Sequence, residues 1–168
     1  MTEVQDRVRL RWEIEEAFAA VPYPGDDAIV SHGCWECDEA ASAFKGKRWQ
    51  DYADRPLALV GPPNRDALPL LTPQAFRYYL PLALLAAVDL YKEADILTDS
   101  IIFALLPEQT KSDARLSLLA EPELRALLSF LEYLRKHHPV DYVDGPRKKD
   151  LDSAERRIRS RLDQSKSV

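Results

Sequence analysis

A chain of 168 residues can bury about 70% of its unfolded surface in one core, so it needs neither disulfides nor metals to hold it, and a single domain is expected. With 46% hydrophobic and 30% charged residues, the composition excludes overall disorder. The net charge is −5, but residues 145–168 hold eight Lys/Arg against four Asp/Glu, which leaves −9 on the remainder. An acidic body disfavours nucleic-acid binding, which needs clustered cations, and favours a basic protein partner.

The N-terminal stretch MTEVQDRVRLRWEIEEAF carries charges throughout and has no apolar core of a signal sequence, so a cytoplasmic location and free thiols at Cys34 and Cys37 are expected. Val4, Val8, Leu10, Ile14, Phe18 and Val21 recur at mixed spacings of three and four, which predicts an amphipathic helix over residues 3–21 with Trp12 at its edge. Pro22, Pro24 and Gly25 end it. The following PYPGDD is turn chemistry in which Tyr23, Asp26 and Asp27 are candidate binding residues, set against a simple capped turn. A second helix is predicted from Trp35 to Gly46, with Glu36, Asp38 and Glu39 favouring its N-terminus. Trp49 and Tyr52 suggest one short turn. The proline-rich connection after it contains Leu57 to Val60, which is compatible with a brief strand whose only evident mate is Ile29 and Val30.

The longest run of helix formers is Leu71 to Tyr91, LTPQAFRYYLPLALLAAVDLY. Thr72 is a predicted N-cap and Pro73 the first helical residue, a position where the missing N–H has no partner to lose. No charge falls between Arg77 and Asp89, so this helix is expected to lie at the centre of the core. The apolar run is too short for a bilayer, which takes roughly 20 residues. Pro81 predicts a kink, with Arg77, Tyr78 and Tyr79 on the turn before it as candidate binding residues; the competing reading makes them core groups with satisfied polar atoms.

The pieces IEEAF (14–18), PYPGDD (22–27), HGCWEC (32–37) and above all LTPQAFRYYLPLALLAA (71–87) resemble a family of small bacterial proteins known only as a domain of unknown function. The resemblance covers roughly residues 10–135 and implies no reaction, cofactor or substrate.

Further helices are predicted from Asp95 to Leu106, antiparallel to the central helix, and from Pro122 to His138, with a polar connection between them over residues 107–121. Residues 139–149 read as a linker. The segment 150–164 reads as a charged helix whose stripe of Leu151, Ala154, Ile158 and Leu162 can dock on the body or on a partner. The expected architecture is therefore all-α: an irregular single-domain bundle of about five helices over residues 1–145, with a kinked central helix, followed by a basic tail helix over 146–168.

His32, Cys34 and Cys37 form an H-x-C-x-x-C cluster at the start of the second helix. As a zinc site it offers three ligands, with His137 or His138 available as a fourth. As a redox site it has the helix dipole but also three opposing carboxylates. The bland alternative is a pair of packing thiols. Asp95 and Asp99, four apart, suit either a carboxylate pair or ordinary dipole complementarity. With no phosphate loop, nucleophile elbow or H-E-x-x-H present, the sequence points to a non-enzymatic interaction protein, an immunity or antitoxin-like binder of a basic protein. The alternative is a small metal-binding protein or metal-dependent enzyme using His32, Cys34 and Cys37. A zinc ion in that alternative is the only cofactor implied, and neither a membrane nor a nucleic acid is expected as a partner.

Overall fold

The computed structural model describes residues 1–167. Its regular structure is ten α-helical segments and three short 3-10 turns, with no β-strand among the described residues, so the all-α class holds.

Helix α1 (Glu3–Phe18) opens with a reciprocal cap: the Thr2 amide donates to Gln5 Oε1 and the Gln5 amide to Thr2 Oγ1. Its buried stripe is Asp6, Leu10, Ile14 and Phe18. Val4 and Val8, expected in that stripe, face outward instead. The first turn is buried through Asp6, whose carboxylate accepts from Lys136 (2.6 Å) and from His137 Nε2 (2.9 Å) of a distant helix.

A 3-10 turn (Asp26–Ala28) leads to α2 (Trp35–Phe44), which stops before Gly46, whose φ of +71° is open to glycine at little cost. After the turn at Trp49–Tyr52 comes α3 (Leu57–Val60), one turn of helix rather than the brief strand its sequence is compatible with. Pro56 starts that turn with helical dihedrals, and the carbonyls of Pro56 and Leu57 accept from Val60 and Gly61 along the same segment, which leaves no open edge for pairing. The Ile29–Val30 segment does find a mate, but in Leu71: Val30 and Leu71 make an isolated antiparallel bridge, and the Thr72 amide donates to Ile29 O at 2.9 Å.

That bridge delivers the chain into α4 (Pro73–Asp89). Thr72 caps it, its hydroxyl accepting from the Ala75 amide and donating to Ala28 O. From Ala75 to Val88 every residue except Arg77 is buried, and the helix is continuous through Pro81. It touches α1, α3 and the Trp49–Tyr52 turn, as well as the three helices that follow it. These begin with α5 (Tyr91–Ala94) and α6 (Ile96–Phe103), where a connection and a longer helix were predicted; Asp95, at a φ of +51°, is the joint between them. The region expected to be a polar connection contains α7 (Ser112–Leu118). It is a core helix because Arg115 and Leu116 are both buried in it.

Helix α8 (Glu121–His137) runs against α1, and the predicted linker contains one more helical turn, α9 (Pro139–Tyr142), which buries Tyr142. The tail helix α10 (Lys148–Lys166) docks on the body: Leu151, Ala154, Ile158 and Leu162 are all buried against α6, α7, α8 and α9. Arg135 of α8 pairs with Asp152 at 2.8 Å and with Glu155. No helix among the described residues is long and apolar enough to cross a membrane.

Candidate functional site

The FRYYLP turn lies inside the fold. Arg77 donates to Glu123 through Nε (2.8 Å to Oε2) and Nη2 (2.6 Å to Oε1), a forked pair joining α4 to the start of α8. Glu123 is 2% exposed and also accepts from the Ala120 amide at 3.2 Å, so one carboxylate caps α8 and holds the guanidinium. Tyr79 is fully buried, and its hydroxyl sits 2.7 Å from both Phe44 O and Lys47 O, the carbonyls at the C-terminal end of α2. Burial pushes that hydroxyl far above the usual tyrosine range. Tyr78 packs edge-on against Tyr79 and Tyr23, with ring centroids at 4.9 and 5.4 Å.

Tyr23 extends the same arrangement outward. Its hydroxyl donates to Asp26 Oδ1 (2.6 Å) and accepts from the Gly46 amide (2.8 Å), which ties the PYPGDD corner to the end of α2. Asp27 stays exposed on that corner. The structure thus joins Tyr23, Asp26, Tyr78 and Tyr79 around one end of α2, and sets Arg77 apart with Glu123.

The other end of α2 holds the His-Cys-Cys group. Cys34 is the N-cap, and its Sγ accepts from the Cys37 amide at 3.2 Å. This capping contact brings residues 34 and 37 onto the same side of the first turn. Cys37 Sγ is 3.4 Å from His32 Nδ1, and the ligand atoms of all three residues lie within 4.8 Å of one another. Cys37 is buried, Cys34 half-buried and His32 exposed. The hydrogen bond with Cys34, together with burial, pushes the Cys37 thiol up, which is the opposite of what a reactive redox thiolate needs.

Two cations absent from the sequence-based expectations lie at the start of α7, Lys111 just before it near Cys37 and Arg115 within it. Lys111 is close enough for its charge to favour a thiolate at Cys37, and burial and Arg115 hold its own pKa down. Arg115, 2% exposed, donates to Ala104 O (3.1 Å) and Pro69 O (3.0 Å) and lies 4.9 Å from the centroid of the Phe76 ring. Desolvation pushes its pKa down to about 10. The available signal was the apolar triplet Leu116, Leu118 and Leu119, which marks a packed segment but not the charged residue inside it.

The other candidates are engaged elsewhere. His137 bonds Asp6, and His138 stacks on Tyr91 with centroids 3.5 Å apart, so neither histidine joins the cysteines. Asp95 pairs with Arg65 (3.0 Å), and Asp99 with Arg147 (2.6 Å) and the Tyr142 hydroxyl (3.3 Å). Several cations of the tail also point inward: Arg157 meets Leu105 O and Asp113, and Arg161 donates to Ser117 O.

One surface feature emerges only when exposure is added to sequence. Residues 12–44 contain eight Asp/Glu and no Lys/Arg. Within that stretch Trp35, the first residue of α2, is 73% exposed, and Glu36, Asp38 and Glu39 around it are exposed as well.

Fold and site together define an all-α protein built on a buried central helix, with an acidic, tryptophan-bearing helix start that also holds a His-Cys-Cys group. The chain belongs to a family of unknown function, DUF6714, whose profile matches residues 6–149. Neither the curated proteins nor the solved structures contain a match to it.

Proposed function

We propose that this protein acts by binding rather than by catalysis, and that the start of α2 is its contact surface for a basic partner protein in the cytoplasm, in the manner of an immunity or antitoxin protein. The observation that carries this reading is Trp35: a large indole, 73% exposed, in a stretch with eight carboxylates and no cation. Exposed tryptophan is costly on a solitary surface and is favoured as an interface anchor, where its area is desolvated inside a polar rim. The surrounding carboxylates supply steering and selectivity for a cationic partner. Asp26 and Asp27 add to the same acidic stretch, while Tyr23, Tyr78 and Tyr79 hold α2 in place from behind. Arg77 acts one step further back, by fixing α4 to α8.

The test is capture from the native host with the tagged full chain, followed by binding measurements on the purified pair. Trp35→Ala and the charge reversal Glu36→Lys/Glu39→Lys are expected to weaken binding about thirtyfold or more, with unchanged melts. Added salt is expected to slow association. Failure to recover a basic partner at physiological salt, or unchanged affinity in both variants, rejects the reading.

A further inference from the structure

We infer that His32, Cys34 and Cys37 form a zinc site, with two thiolates and one imidazole as protein ligands and a fourth position open to water. The distances fit the chemistry. With Zn–S of about 2.3 Å and Zn–N of about 2.0 to 2.1 Å, a tetrahedral site has S···N edges of roughly 3.5 Å and an S···S edge of roughly 3.8 Å. The Cys37 Sγ to His32 Nδ1 separation is 3.4 Å, and all three ligand atoms lie within 4.8 Å, so closure around a metal takes rotamer adjustments of about an ångström.

The helix start prepares the two sulfurs. Cys34 is the N-cap and Cys37 lies three residues on, so the capping geometry fixes their spacing without any metal. The Cys37 amide, donating to Cys34 Sγ, supports negative charge on that sulfur, as does the positive end of the helix. Two thiolates neutralise the ion, so Lys111 beside Cys37 faces no net positive charge. Thiolate ligands select a soft or borderline metal such as zinc over calcium or magnesium. The fourth position goes to water because His32 is exposed and Cys34 only half-buried, while His137 and His138 are held by Asp6 and Tyr91. Cys34 and Cys37 flank Trp35 in the first turn of α2 and His32 lies before it, so the metal would pin the loop before α2 to the helix that carries the proposed contact surface.

The experiment uses the full chain, purified under reducing conditions and shown by thiol titration to carry two free thiols. Metal analysis is expected to find one zinc per chain, and Co2+ is expected to give the thiolate charge-transfer band and the intense visible bands of four-coordination. In competition with a chromophoric chelator, His32→Gln is expected to weaken zinc binding at least tenfold, and Cys34→Ser more. His32 is exposed and serine keeps an N-cap oxygen at the half-buried position 34, so circular dichroism is expected to show an intact fold in each variant; Cys37→Ser, at a buried position, is read only if it folds. No stoichiometric zinc on a chain with two free thiols, or unchanged affinity in both His32→Gln and Cys34→Ser, overturns the assignment. No partner is needed, so this outcome is independent of the binding proposal.

Discussion

Glu123 shows how much of this fold rests on single polar residues. It sits almost fully enclosed with the guanidinium of Arg77 in its fork and the Ala120 amide on the same oxygen as Arg77 Nε. Removing the carboxylate leaves the half-buried Arg77 guanidinium unmatched and α8 without its cap, a loss of ~1–3 kcal/mol. Glu123→Ala is expected to lower the urea midpoint accordingly, whereas Arg77→Met combined with Glu123→Leu should fall less than Glu123→Ala alone. A double-mutant cycle that returned no coupling would show that the two side chains act separately. Arg115 makes the opposite case at the same scale: it is a buried cation satisfied mainly by backbone carbonyls and an aromatic face. A charged residue of this kind reads as surface in any one-dimensional pattern, which is why α7 was hidden in a stretch predicted to be a connection.

At the scale of elements, the helices that were legible carry their own signals. Thr72 and Pro73 mark the start of α4, and Pro122 with the leucine stripe marks α8, because caps and periodicity are local properties. What escaped depends on distant partners. The register of α1 was misassigned at Val4 and Val8 because the buried first-turn residue is Asp6, and its burial is made possible by Lys136 and His137, about 130 positions away. The cysteine cluster was legible as a motif, while Lys111 near it was not. The stripe on α10 was equally plain, but its destination was not. Docked on the body, Leu151, Ile158 and Leu162 each contribute ~1.5–3 kcal/mol, a sum comparable with the roughly 5–15 kcal/mol net stability of a domain. Truncation after residue 145 is therefore expected to abolish the cooperative thermal transition or lower its midpoint steeply, measured by far-UV circular dichroism. A truncated chain that melts like the full one would mean that α10 is peripheral, although it is packed here almost entirely beyond the residues matched by the family.

For the molecule as a whole, several ionisable groups couple stability to acid in one direction. Lys136, and then His137, hold the Asp6 carboxyl below the usual range. Lys148 and Arg135 do the same for Asp152; Glu155 is raised by burial, but Arg159 and Arg135 outweigh it and bring it down. Carboxyls lowered in the folded state contribute fully above the ordinary carboxylate range, and that contribution is lost as pH falls through their folded values. His138, kept low chiefly by burial against its neighbours, works in the same sense over the ordinary histidine range, since unfolding lets it take up a proton. Urea midpoints followed from about pH 8 to about pH 3 are expected to decline in two steps. His138→Gln should flatten the first step and Asp6→Asn part of the second. A midpoint that rises toward acid would contradict these couplings, which join α1 to α8 and α8 to α10.

The three tryptophans also make the protein its own optical gauge. Trp49 is enclosed, while Trp12 on α1 and Trp35 on α2 face water on separate helices. Native emission is therefore already dominated by hydrated indoles, and a soluble quencher reaches two of the three without any unfolding. With Trp12 replaced by phenylalanine, the quencher-accessible light comes from Trp35 alone. Anything that settles on the start of α2 then announces itself as a blue shift and a loss of quenching, at unchanged helix content and with no label attached.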